Sequence, residues 1–132
     1  IYNNIVLYSD DPSEDSKGYH ELIRDLNLER LTQRAGNTPL GDFGDNISAG
    51  ERQRICIARA MCKHPKIIIF DEPVTGLDPE NQVIINEFIF RQKNITRIVI
   101  SHDWSKEYLD RFDGVVNLGQ SCHPYPSIIP PV

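Results

Sequence analysis

Asn46 to Pro79 reads NISAGERQRICIARAMCKHPKIIIFDEPVTGLDP, and this stretch decides the fold. A small-residue loop runs into a helix, an apolar run comes next and ends in two acids, and a turn closes the segment. Ser48 is a good N-cap, Glu51 three residues later completes a capping box, and residues 52–61 contain no helix breaker. Ser48, Ala49 and Gly50 therefore form a helix tip with uncovered backbone N–H groups, a positive dipole end and no bulky side chain, where an anion can approach closely. An ordinary capped helix carries the same local pattern, so the tip gains meaning only together with the apolar run and acids downstream.

Ile67-Ile68-Ile69-Phe70 is a short, mostly β-branched apolar run, the pattern of a strand buried on both faces of a parallel sheet. Asp71 and Glu72 leave its carboxyl end, and open α/β sheets bind ligands in the crevice beyond such ends. Two adjacent carboxylates there can divide labour. One holds hydrated Mg2+ and the other orients or deprotonates water. A single acid after a strand is commonly just the start of a solvated loop, so the pair needs corroboration from elsewhere in the chain.

Downstream, Asp78 caps a helix starting at Pro79, with Val83, Ile84, Phe88 and Ile89 as its apolar face. Arg97 to Ile100 reads as a second buried strand, so strand, helix and strand make a βαβ unit. His102 comes after that strand and emerges at the same sheet edge as Asp71 and Glu72. Trp104 to Phe112 reads as a short surface helix and Gly114 to Leu118 as a last strand, while residues 121–132, with four prolines, read as an irregular tail.

Upstream, Asp11-Pro12-Ser13-Glu14 is a helix start, and Tyr19, Leu22, Ile23 and Leu26 supply one apolar face at helical spacing. Leu28 to Arg34 reads as another short helix, and residues 38–46 are rich in turn formers. On the helix after Ser48, Ile55, Ala58 and Cys62 mark a buried stripe widened by Ile57, Ala60 and Met61; Arg52, Arg54 and Arg59 could support the helix end or contact a partner, with solvated faces as the default reading. Cys56 and Cys62 both read as small packing residues.

Composition narrows the function classes. The 132 residues form an ordinary globular mixture with net charge −5 and a pI of about 5.3, which argues against a nucleic-acid grip by bulk electrostatics. Three cysteines in no ligand-like spacing read as reduced thiols. No apolar run has the length of a membrane span, and no signal segment opens the chain.

Ile47-Ser48-Ala49-Gly50-Glu51 followed by Arg52-Gln53-Arg54 resembles the signature motif of ATP-binding cassette (ABC) ATPases. Ile67 to Glu72 looks like their Walker B motif with its catalytic glutamate, Gly76-Leu77-Asp78 like the D-loop, and Ser101-His102-Asp103 like the switch-histidine loop. Thr38, Gly41 and Gly44 match the x-loop of exporter-type cassettes, with Asp42 for its glutamate and Phe43 for its arginine. Ala49 stands where most members have glycine, and its methyl group narrows the point of phosphate approach.

The resemblance implies an α/β, partial P-loop NTPase fold of ABC type: a helical subdomain at about 9–63, then a parallel-sheet core at about 64–119 lacking the P-loop strand. Residues 120–132 would be the tail. No glycine of the eight is followed by lysine, so there is no G-x-x-x-x-G-K-[ST] loop, and the A-loop and Q-loop are also missing. The abrupt start at Ile1 looks like a cut inside a larger domain, and the chain alone is expected to bind ATP poorly. By resemblance, Glu72 activates water, Asp71 holds Mg2+ and His102 contacts the γ-phosphate. Ser48, Ala49, Gly50 and Glu51 meet the ATP of an opposite, head-to-tail cassette, and Asp78 links the two sites. The implied setting is the cytoplasmic face of a membrane, with transmembrane partners, ATP and Mg2+ as cofactors, and export as the direction. Two alternatives stay open: a non-transport ABC ATPase of DNA repair or chromosome maintenance, and a non-enzymatic degenerate cassette.

Overall fold

The computed structural model describes residues 1–6, 12–35, 46–103, 105–118 and 127–129. The expected x-loop match at residues 38–44, the Asp11 cap and Trp104 lie outside them. The chain divides into two compact units, Ile1–Ile100 and Ser101–Val132.

Up to residue 61 the described regular elements of the first unit are all helices. Helix α1 spans Tyr2–Ile5, α2 Pro12–Asp25, α3 Glu29–Ala35 and α4 Ala49–Met61. Helices α1 and α2 pack on α4. Tyr19 and Ile23 of α2 and Leu26 just after it are buried as their spacing predicts, Leu22 is partly buried, and Leu28 and Leu31 join them. The Arg59 guanidinium donates to the carbonyl of Asn4 at 2.7 Å, satisfying an acceptor that the short α1 leaves open at its end. Cys62 is the C-cap of α4, and His64 then adopts φ 47°, so the chain turns out of the helix just before Pro65.

Strand β1 (Ile67–Asp71), helix α5 (Pro79–Arg91) and strand β2 (Thr96–Ile100) come next, and the strands pair in parallel from Ile67 beside Thr96 to Asp71 beside Ile100. This is the expected βαβ unit. Arg97 donates to the Ile89 carbonyl at 2.9 Å, so a cation from β2 closes the end of α5. Ile68 and Phe70 face inward and join Ile55, Ile57, Ala58, Ile85, Phe88 and Ile89 in one apolar core.

The strands are not buried on both faces. Ile67 and Ile69 are 62 % exposed, and Ile98 and Ile100 beside them 47 %. A uniformly apolar run carries no alternation from which to read sidedness, and here the core lies against one face only.

Three further expectations change for packing reasons. On α5 Ile85 joins Phe88 and Ile89 in the core, while Val83 is 61 % exposed, because Ile85, Phe88 and Ile89 share one helical face. On α4, Ala60 and Cys56 are exposed rather than packed, whereas Cys62 is buried. Arg54, read as solvated, is buried.

In the second unit, α6 (Lys106–Leu109) buries Tyr108, which meets Phe112 edge to face at 5.2 Å. Strand β3 (Val115–Asn117) pairs antiparallel with β4 (Ser127–Ile129). The proline-rich tail is thus not irregular throughout: its proline-free Ser127-Ile128-Ile129 supplies a ladder of donors and acceptors to β3.

Candidate functional site

The α4 tip forms as the sequence specifies. Ser48 has extended backbone, φ −68° and ψ 161°, and its hydroxyl accepts from the Glu51 amide at 3.1 Å. Glu51 Oε2 accepts in return from the Ser48 amide at 2.8 Å. Arg34, at the end of α3, donates to both Glu51 oxygens at 3.2 Å and to the Asn46 carbonyl at 3.5 Å. Partial burial pushes the Glu51 carboxyl up, but the Ser48 amide and hydroxyl and the Arg34 guanidinium outweigh it and hold the group below its usual range. Glu51 is therefore an anionic strut that fixes the loop before α4. Ser48 and Ala49 stand exposed at the tip, and Gly50 is buried.

Gly50 is buried against Asn81, near the start of α5, and a Cβ at residue 50 would overlap the Asn81 amide. Glycine is needed here for close approach, not for its backbone freedom. One helical turn on, Arg54 lies on the same face of α4 and donates from Nη1 to Asn81 Oδ1. Asn81 Nδ2 donates in turn to Asp78 Oδ2 at 2.5 Å, and the Asn81 backbone amide donates to Asp78 Oδ1 at 3.0 Å. The Asn81 side chain and then the helix-start amides hold the Asp78 carboxyl below its usual range. The α4 tip and the Asp78 turn are thereby joined in one hydrogen-bonded group.

The acids form a second group. Asp71 ends β1, exposed on the same sheet face as Ile67 and Ile69. Glu72 turns away from that line: its φ is 45°, a left-handed conformation that costs a non-glycine residue of order 1 kcal/mol. Its amide donates to the Ile100 carbonyl at 2.9 Å, which fixes it to the end of β2. Thr75 Oγ1 donates to Glu72 Oε2 at 2.6 Å, so one carboxylate oxygen is oriented by the turn. Gly76, at φ 75°, supplies the left-handed residue that brings the chain round to Asp78.

His102 is exposed and belongs to the second unit. The loop around it is shaped by the Asp103 amide donating to Ser101 Oγ at 3.0 Å and the Ser105 amide donating to Asp103 Oδ1 at 2.8 Å.

Sequence reasoning missed Arg34, Arg54, Thr75 and Asn81. Local spacing held part of the signal: Thr75 and Asn81 each lie three residues beyond the acid they bind. Arg54 pairs across 27 residues of sequence and left no such trace.

Among the described residues no three His, Cys, Asp or Glu side chains cluster as a metal site. A lone exposed carboxylate suits Mg2+ that arrives on phosphate oxygens and keeps its waters, since Mg2+ is usually held by one or two carboxylates.

Helix N-termini and the carboxyl ends of strands in α/β units are places where phosphate-bearing ligands are commonly received. A family profile described as ABC transporter matches residues 2–75, more than half of the chain. The chain is 43 % identical over 110 residues to the alpha-hemolysin translocation ATP-binding protein HlyB of Escherichia coli O157:H7, covering 77 % of this chain and 15 % of that protein. It is 35 % identical over 107 residues to an ATP-dependent lipid A-core flippase of Francisella tularensis subsp. holarctica, covering 77 % and 17 %. Its fold matches MJ1267, an ATP-binding cassette of an ABC transporter in its ADP conformation, with a TM-score of 0.58 at 22 % identity, over 83 % of this chain and 41 % of the other. The chain belongs to the ABC transporter family. It spans less than a fifth of the length of the two relatives.

Proposed function

We propose that this chain is the carboxyl-terminal half of the nucleotide-binding domain of an ATP-hydrolysing ABC transporter subunit, working in export. The observation that carries the reading is the pairing of an open, capped helix tip at Ser48 with an oriented carboxylate at Glu72, both within one compact unit. Relatives named for hemolysin translocation and lipid A-core flipping favour export, as does the x-loop resemblance in the sequence.

In this reading Glu72 accepts a proton from the attacking water, and the Thr75 hydroxyl holds one of its oxygens so that the other faces the reaction. Asp71 would hold Mg2+ through water, and bound Mg2+ supplies charge neutralisation of the phosphates. His102 would contact the γ-phosphate. Ser48, Ala49 and Gly50 offer hydroxyl and amide groups at a positive dipole end to ATP held by an opposite cassette in a head-to-tail pair. Glu51 serves that contact by fixing the loop. Asp78 links the two sites. Residues at about 9–63 would be the helical subdomain, facing transmembrane partners at the cytoplasmic side of a membrane, and those at about 64–119 would belong to the core. Among the described residues no helix is long and apolar enough to cross a membrane.

Ser48→Arg tests the reading in the intact protein. A long side chain at the tip should reduce Mg-ATP turnover at least tenfold by removing anion contacts made in the transition state, while ATP binding persists. Unchanged turnover would reject the role of the tip.

A further inference from the structure

We infer that Arg54 and Asn81 are a positioning pair that sets the Asp78 turn by the register of α4, so that the helix presenting Ser48 and the turn presenting Asp78 move as one body. The inference rests on the cassette reading and adds to it two residues and an internal linkage.

Three observations carry it. Gly50 and Arg54 lie one turn apart on α4, and both meet the Asn81 amide, one by close packing and one by a hydrogen bond. Asn81 accepts from Arg54 through Oδ1 and donates to Asp78 through Nδ2, so its amide group is held from both sides. Arg54 is also an unpromising stabiliser. It is 8 % exposed, its Nε has no hydrogen-bond partner, and its hydrogen-bond acceptor is a neutral amide. The carboxylates of Glu51, Asp78 and Glu80 act on it only at longer range. Burying a guanidinium on those terms costs stability that an apolar side chain of similar volume would not. What the arrangement supplies instead is geometry, because an amide clamped between a helix face and a carboxylate has one permitted orientation. A shift of α4 must then carry the Asp78 turn with it.

The test uses Asn81→Ala, Arg54→Met and the double variant in the intact protein. Asn81→Ala removes the side-chain bridge but keeps the backbone amide that Asp78 caps, and Arg54→Met preserves volume, so both should fold. Each single variant should lower kcat for ATP about tenfold, the scale expected when a reacting group is slightly misplaced, with KM moved less than twofold. The double variant should be no slower than either single one. Amide hydrogen exchange at residues 76–78 should quicken in all three to the same extent. Losses that multiply, or exchange unchanged at 76–78, would overturn the linkage. Exchange is read without ATP, so the two ideas separate. If exchange quickens as stated while Glu72→Gln leaves turnover intact, the linkage stands and the ATPase reading falls. If Glu72→Gln abolishes turnover while the pair variants keep full kcat, the linkage falls alone.

Discussion

Glu72→Gln in the intact protein should lower ATP turnover by about two to four orders of magnitude, the usual contribution of a positioned general base, and leave ATP binding in place. The substitution keeps shape and an acceptor for the Thr75 hydroxyl, so it changes proton affinity more than geometry. Glu72 is held in a left-handed conformation by the hydrogen bond from its backbone N–H to the Ile100 carbonyl and by the turn through Thr75, and the glutamine replacement inherits both restraints. Turnover and equilibrium nucleotide binding, measured side by side, check the result. A rate equal to that of the parent would remove Glu72 from the chemistry.

Phe88→Ala should cost about 3–5 kcal/mol, since it empties a site that is 2 % exposed in the core cluster that also holds Ile68 and Phe70. Val83→Ala, five residues earlier on the same helix but 61 % exposed, should stay within about 0.5 kcal/mol. Chemical denaturation of the two variants compares them directly. The contrast fixes the rotational setting of α5, on which the placement of Asp78 and Asn81 depends. Equal effects would show that α5 packs on a different face.

That helix also shows where the sequence is readable and where it is not. Its start was legible from Asp78 and Pro79, because capping is a local matter of one side chain and the next few amides. Its buried face was not, since residues 83–85 and 88–90 offer apolar side chains all round and only the tertiary core selects Ile85 over Val83. The same division recurs across the chain. The Ser48–Glu51 box formed as read. The four-residue apolar run of β1 hid which side faces the core, because alternation cannot be seen where every residue is apolar.

In the site, residue types and their order made the acids, the helix tip and the histidine legible as candidates. The supporting residues were harder to see. Thr75 and Asn81 sit beside their acids in sequence, yet threonine and asparagine in turns usually serve the backbone. Arg54 looked solvated because arginines on helices generally are, and only the close approach permitted by Gly50 draws it inward. A three-residue strand at the chain's end depends on a partner ten residues or more away, which proline-rich flanks disguise.

Amide hydrogen exchange of the intact Glu72→Gln protein, with and without Mg-ATP, probes most directly whether the α4 tip and the β1 acids serve one nucleotide reaction. Binding should slow exchange at Ala49–Glu51 and at residues 71–78 together, with both protections lost when Mg2+ is chelated. Protection confined to other segments, with both of these stretches exchanging as in the free protein, would contradict it.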